Sequence, residues 1–141
     1  MSARFRVATR ATGHRRQVWV HVYDDRDELC RQHAKDRHHP YDPDVHGGVV
    51  SRGDYHWPEP DPGPVVIMRL WTGQLTTKTV AHESVHAAAM FVFMDVMKGW
   101  NSRARPLLLD NNEELAYAVG DIASETIRNL YRLRLLPQET P

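Results

Sequence analysis

Cysteine is nearly missing from this chain of 141 residues. Cys30 is the only one, so no disulfide can close within the chain, and a reducing, cytoplasmic setting is expected. Net charge is missing too: 18 basic residues balance 18 acidic ones, which leaves no global field to recruit nucleic acid or a membrane surface. Lysine is scarce, 3 residues against 15 arginines. No apolar run reaches the roughly 20 residues a bilayer requires. The longest, 87–97, is broken by Asp95, and the opening Met-Ser-Ala-Arg-Phe-Arg has no apolar secretion signal. Histidine, finally, stops at His86, and no cysteine follows it either.

What is present centres on Thr79-Val80-Ala81-His82-Glu83-Ser84-Val85-His86-Ala87-Ala88, an H-E-x-x-H pattern inside an apolar segment. On a helix, residues four apart share a face, so His82 and His86 can offer ring nitrogens to one metal ion. Glu83 lies about 100° round from His82, beside such an ion rather than bound to it. That is the place for a general base acting on water. Uncharged residues inside and around the motif set it apart from a chance match on a solvated helix. The competing reading is two satisfied histidines and a glutamate on a buried helix, and the cost of burying three such groups unpaired counts against it.

Along the chain, residues 3–9 and 17–23 alternate as half-buried strands do, with Thr12-Gly13 as a turn between them. Residues 24–35 read as a helix with acids at its start and Leu29, Cys30 and His33 on one side. From 37 to 64 the chain is rich in His, Pro, Asp and Gly, an ordered surface loop with a short strand at 48–52. His38, His39, His46 and His56 fall there, at spacings that match no zinc pattern, and read as surface imidazoles. Residues 64–71 are a continuous apolar strand. The motif helix should start at Thr76 or Thr77 as a hydroxyl cap, end near Gly99, and run through the core because it is apolar nearly all round. A basic loop at 101–106, an apolar step at 107–109 and a cap signal at 110–112 lead to a second long helix from 113 to about 135. The tail 137–141 should fray. The expectation is one α+β domain spanning 1–141, with sheet and loops in 1–75 and two long helices in 76–136.

A catalytic zinc takes three protein ligands and keeps one open position. With no histidine after His86, the metzincin arrangement is excluded, and the third ligand must be a carboxylate or an upstream residue. A deformylase-like role for Cys30 lacks the glycine-rich loop and Cys-Leu-Ser segment that go with it. Asp95 lies at an unsuitable angle on the motif helix itself, and Asp110 is explained as a helix cap. Glu113 and Glu114 begin a helix that can pack across the motif helix and project a carboxylate to the metal.

The motif at 79–88, followed by Asn112-Glu113-Glu114-Leu115-Ala116-Tyr117, resembles the small gluzincin-type metallopeptidases of phages and prophages. It is similar, more distantly, to the ImmA/IrrE metallopeptidase family. The resemblance covers about residues 65–125. It implies a minimal zincin-like domain, a small N-terminal mixed or antiparallel sheet with an active-site helix and a long C-terminal helix. In these families the second helix carries a pattern close to E-x-x-A-[YF] whose glutamate is the third zinc ligand. Aligned on Ala116 and Tyr117, that residue is Glu113, with Glu114 as the fallback. Larger gluzincins often place an acid four positions on, where this chain has Tyr117.

The expected function is therefore zinc-dependent peptide hydrolysis, with one zinc on His82, His86 and Glu113 and with Glu83 as general base. Tyr117 is the first candidate for an oxyanion donor, ahead of Tyr55 and His56. Residues 65–70, if an edge strand, would hold an extended peptide by backbone pairing. The substrate would be a peptide or protein, with a phage or host protein as a further partner and, for a phage gene, the host cytoplasm or the virion as the setting. The alternative is a catalytically silent phage structural or interaction protein that keeps the peptidase fold. A phosphate-binding arm built on Arg4, Arg6, Arg10, Arg15 and Arg16 ranks third, because strand alternation already accounts for Arg4 and Arg6 as a solvated edge.

Overall fold

The computed structural model describes residues 1–52, 65–96 and 112–136. The expected basic loop, apolar step, end of the motif helix, terminal tail, and Tyr55 and His56 lie outside the described residues. Strand β1 (Ala3–Thr9) pairs antiparallel with β2 (Arg16–Tyr23) across a turn in which Gly13 takes a φ of 92°. Helix α1 (Arg26–Arg37) follows, then β3 (Gly47–Arg52), β4 (Val65–Trp71), a single 3-10 turn at Thr72–Gln74, α2 (Thr77–Asp95) and α3 (Glu113–Arg132).

The four strands form one mixed sheet in the order β1-β2-β4-β3. Strands β2 and β4 run parallel, because α1 and β3 lie between them in sequence and β3, antiparallel to β4, returns the chain to the end from which β2 starts. Strand β4 therefore lies inside the sheet, and β3 occupies the edge that the sequence alone suggested for residues 65–70. The physical reason was legible in β4 itself, since a run apolar on both alternating faces, Arg69 apart, is what a strand covered on both faces needs.

Each face of the sheet carries different helices. Val18, Val20 and Val22 of β2 and Val66, Met68 and Leu70 of β4 pack with Ala87, Ala88, Phe91 and Met94 of α2 and with Ala118, Ile122 and Leu130 of α3. Burying each larger member of this layer contributes about 1.5–3 kcal/mol before entropy is counted. On the other face Leu29, Cys30 and His33 of α1 are buried, as the acid-capped helix pattern suggested. Arg69 of β4 points to this side, where its guanidinium donates from Nη2 to Asp36 and, over 3.3 Å, from Nε to the Tyr23 hydroxyl.

Helix α2 starts at the hydroxyl cap read from the sequence: Thr76 Oγ1 accepts from the Thr79 N–H at 3.1 Å. Its expected passage through the core is corrected by the structure. Val80, Ser84, Ala87, Ala88 and Phe91 are buried against the sheet, but Ala81, His82, Val85, His86 and Ala89 are exposed. Alanine fits either environment, so the apolar count overstated how much of the helix is covered. Near its C-terminal end Asp95 is taken up by the β1–β2 turn, accepting from Thr12 Oγ1 at 2.6 Å and pairing with Arg16. Helix α3 covers the β1 edge, where Glu125 accepts the Ala8 N–H at 2.7 Å and Asp121 accepts from Thr9. Among the described residues, no helix is long and apolar enough to cross a membrane.

Candidate metal centre

Helical spacing puts the His82 and His86 rings on one face of α2, with centroids 5.0 Å apart and planes inclined at 70°. Two imidazoles on one tetrahedral zinc, with Zn–N of about 2.0–2.1 Å, have centroids about 5 Å apart. The spacing of the pair matches that distance. Glu83 turns inward, 7% exposed, with Oε1 at 3.9 Å from His82 Nε2. Its Oε2 is buried without a hydrogen-bond partner. A buried carboxylate oxygen left unpaired costs stability, and it marks a place where a further group belongs. Burial pushes the Glu83 carboxyl above its ordinary value, and His82 and His86 partly oppose this. A base raised in this way is better matched to proton transfer near neutral pH.

These three side chains open into a cavity of about 940 Å³ that runs past the β3 edge, walled by α2 on one side and α1 on the other. The start of β3 lines it. A Cβ on Gly47 would sit 3.0 Å from the Arg69 carbonyl oxygen, a tight contact with backbone, and 3.6 Å from Glu83 Oε1, an ordinary one, so glycine serves the close packing of β3 on β4. On the opposite face a Cβ on Gly48 would come within 2.5 Å of the His33 ring, which packs directly on the backbone there. Among the described residues, the outer edge of β3 makes no backbone hydrogen bond.

The structure brings together His82, Glu83 and His86. Glu113 it does not: this residue is exposed at the first turn of α3, and neither it nor Glu114 forms part of the cavity wall. The buried stripe of α3 runs through Ala118, Ile122 and Thr126 to Leu130, and Glu113 lies about 140° round from Ala118. Tyr117 is 66% exposed and also stands outside the wall. Among the described residues, no three His, Cys, Asp or Glu side chains gather as a metal site. No family model, curated protein or solved structure matches this chain.

Sequence reading missed the α1 wall, where His33, Asp36 and Arg37 line the cavity with His46. His46 is exposed, as its reading as a surface imidazole has it. It stacks on Trp71 at 5.8 Å and lies 3.2 Å from an Arg26 nitrogen, so it is held by α1 and β4. The one local signal for this wall was the Gly47-Gly48 pair, because adjacent glycines opening a strand imply close approach from both faces.

His33 also sets a pH dependence. It is 6% exposed, and burial together with the charges of Arg69 and Arg37 lowers its pKa from 6.5 to about 4. Between those values the unfolded chain binds a proton that the folded chain refuses. Stability is therefore complete above pH 6.5 and falls as pH drops toward 4, by about 3 kcal/mol in all. Glu83 works in the opposite sense over part of this range, so the comparison is wild type against His33→Leu in denaturant titrations at stepped pH. The wild-type loss should flatten in the variant.

Proposed function

We propose that this protein is a zinc-dependent peptidase of zincin-like fold, with His82 and His86 as metal ligands and Glu83 as general base. The observation that carries the reading is the buried Glu83 carboxylate, with one unpartnered oxygen, beside two facing imidazoles at the mouth of a cavity. His82 and His86 would hold the zinc ion, which would supply Lewis acidity for a water and a carbonyl. Glu83 accepts the proton of the attacking water at its carboxylate and returns it to the departing amine. The outer edge of β3, unpaired among the described residues, holds an extended peptide by backbone pairing, with Gly47 placed beside Glu83. A peptide bond is the expected target because an open strand edge beside a base selects for a backbone that pairs with it.

One observation favours the second reading, a catalytically silent structural or interaction protein. Glu113, which the resemblance makes the third zinc ligand, stands exposed and outside the cavity wall. Hydrolysis of a quenched fluorescent peptide library separates the two readings. Cleavage that a chelator abolishes and zinc restores supports the peptidase. A library left intact by zinc-loaded protein favours the silent form.

A further inference from the structure

The two walls of the cavity differ in charge. On the α2 side stand Glu83 and the imidazole pair, with Ala89, Met90 and Phe93 extending an apolar surface. On the α1 side the acid is already neutralised, because the Asp36 carboxylate pairs with buried Arg69. Arg37 remains. It is exposed, lines the cavity, and has no ion-pair partner among the described residues. Next to it His33 is buried to 94%, and its Nδ1 has no hydrogen-bond partner. The carbonyls at the end of α1 do not cancel this positive character, since the His38 and His39 N–H groups donate to Lys35 and Ala34.

We infer that the α1 wall of the cavity is a carboxylate subsite, in which Arg37 and His33 receive an acidic side chain or a free C-terminus of the bound peptide. The inference rests on the reading that the cavity takes an extended peptide, and it adds the chemical class of that peptide. Arg37 supplies a planar fork of N–H donors suited to a carboxylate. His33 stands beside that fork on the cavity wall, and its Nδ1, unpartnered and closed to solvent here, meets a carboxylate only when the ring shifts toward the ligand. Arg69, behind Asp36, offsets that carboxylate, so that Arg37 carries the remaining charge of the α1 wall among the described residues. Gly48 is part of the device, since any larger residue would push the His33 ring out of its place.

The test uses the full chain carrying Glu83→Gln, so that binding is read without turnover, and three fluorescein-labelled alanine-based pentapeptides followed by anisotropy. One has a central Glu and an amidated end, one a central Gln and an amidated end, and one a central Gln and a free C-terminus. Either or both carboxylate peptides should bind about tenfold or more tighter than the neutral one, as a charge-assisted hydrogen bond implies. Which of the two gains identifies the source of the carboxylate. Adding Arg37→Glu should remove or reverse the preference, and Arg37→Gln, which keeps a polar side chain at this exposed position, should remove it without reversal. Equal binding of all three peptides, a preference indifferent to Arg37, or no binding of any peptide at millimolar concentration would overturn the subsite. A preference that persists while zinc-loaded wild type cleaves nothing supports the subsite and counts only against hydrolysis.

Discussion

Glu83→Gln should abolish measurable peptide hydrolysis while making the metal-free protein more stable at pH 8. Positioned general acid–base catalysis is worth about 10²–10⁴-fold, and an amide cannot accept the proton of water. The stability gain follows from burial. Glu83 is 7% exposed, one carboxylate oxygen is unpartnered, and burial has raised its pKa. A group whose folded pKa is raised contributes its stability below the unfolded value near 4.5 and loses it as pH rises through the folded value. At pH 8 the ionised carboxylate is therefore a cost that glutamine removes. Thermal unfolding in chelator at pH 8 and pH 5 checks the sign: the gain should be larger at pH 8. A variant as active as wild type would remove Glu83 from the chemistry. A loss of stability at both pH values would mean that the carboxylate is held by contacts that the structure does not contain.

Asp36→Ala should be the most destabilising of the single substitutions considered. The Asp36–Arg69 pair is nearly closed to solvent, with side-chain exposures of 9% and 3%. Removing one member of such a pair costs about 3–5 kcal/mol, because the other charge stays buried without its partner. Arg69 cannot swing free: it leaves a central strand, its Nε bonds Tyr23, and its Nη1 is already buried without a partner. Against a typical stability of about 5–15 kcal/mol, this loss should bring the urea midpoint down by a large fraction. The double variant Asp36→Ala/Arg69→Met should recover most of it, since an apolar pair of similar volume needs no partner. Recovery is the decisive part. A double variant no more stable than Asp36→Ala would mean that Asp36 acts through packing rather than charge.

The elements were legible where the signal is local. The alternation in β1 and β2, the acid-rich start of α1, the apolar run of β4 and the hydroxyl cap at Thr76 each depend on a few neighbouring residues, and each element formed as read. His82 and His86 share a face because helical spacing alone decides it. What depends on azimuth and on distant partners was harder. The four-residue spacing of Ala118, Ile122, Thr126 and Leu130 is the face that α3 buries, and it leaves Glu113 on another side. The E-x-x-A-Y resemblance says which residue types occur in a family, not which way this helix is turned. The α1 wall was least visible of all, since β4 and the edge strand β3 bring Arg69, Gly48 and His33 together from stretches far apart in sequence, and only the glycine pair hints at the contact.

The central claim is that His82 and His86 hold a metal, and elemental mass spectrometry of purified wild type beside His86→Ala tests it most directly. Metal bound by a folded site should appear at about one zinc per chain in the wild type and vanish in the variant, with a lower melting temperature for the loss of the ion. Wild-type protein that contains no metal even after incubation with zinc, or zinc retained equally by His86→Ala, would contradict the account.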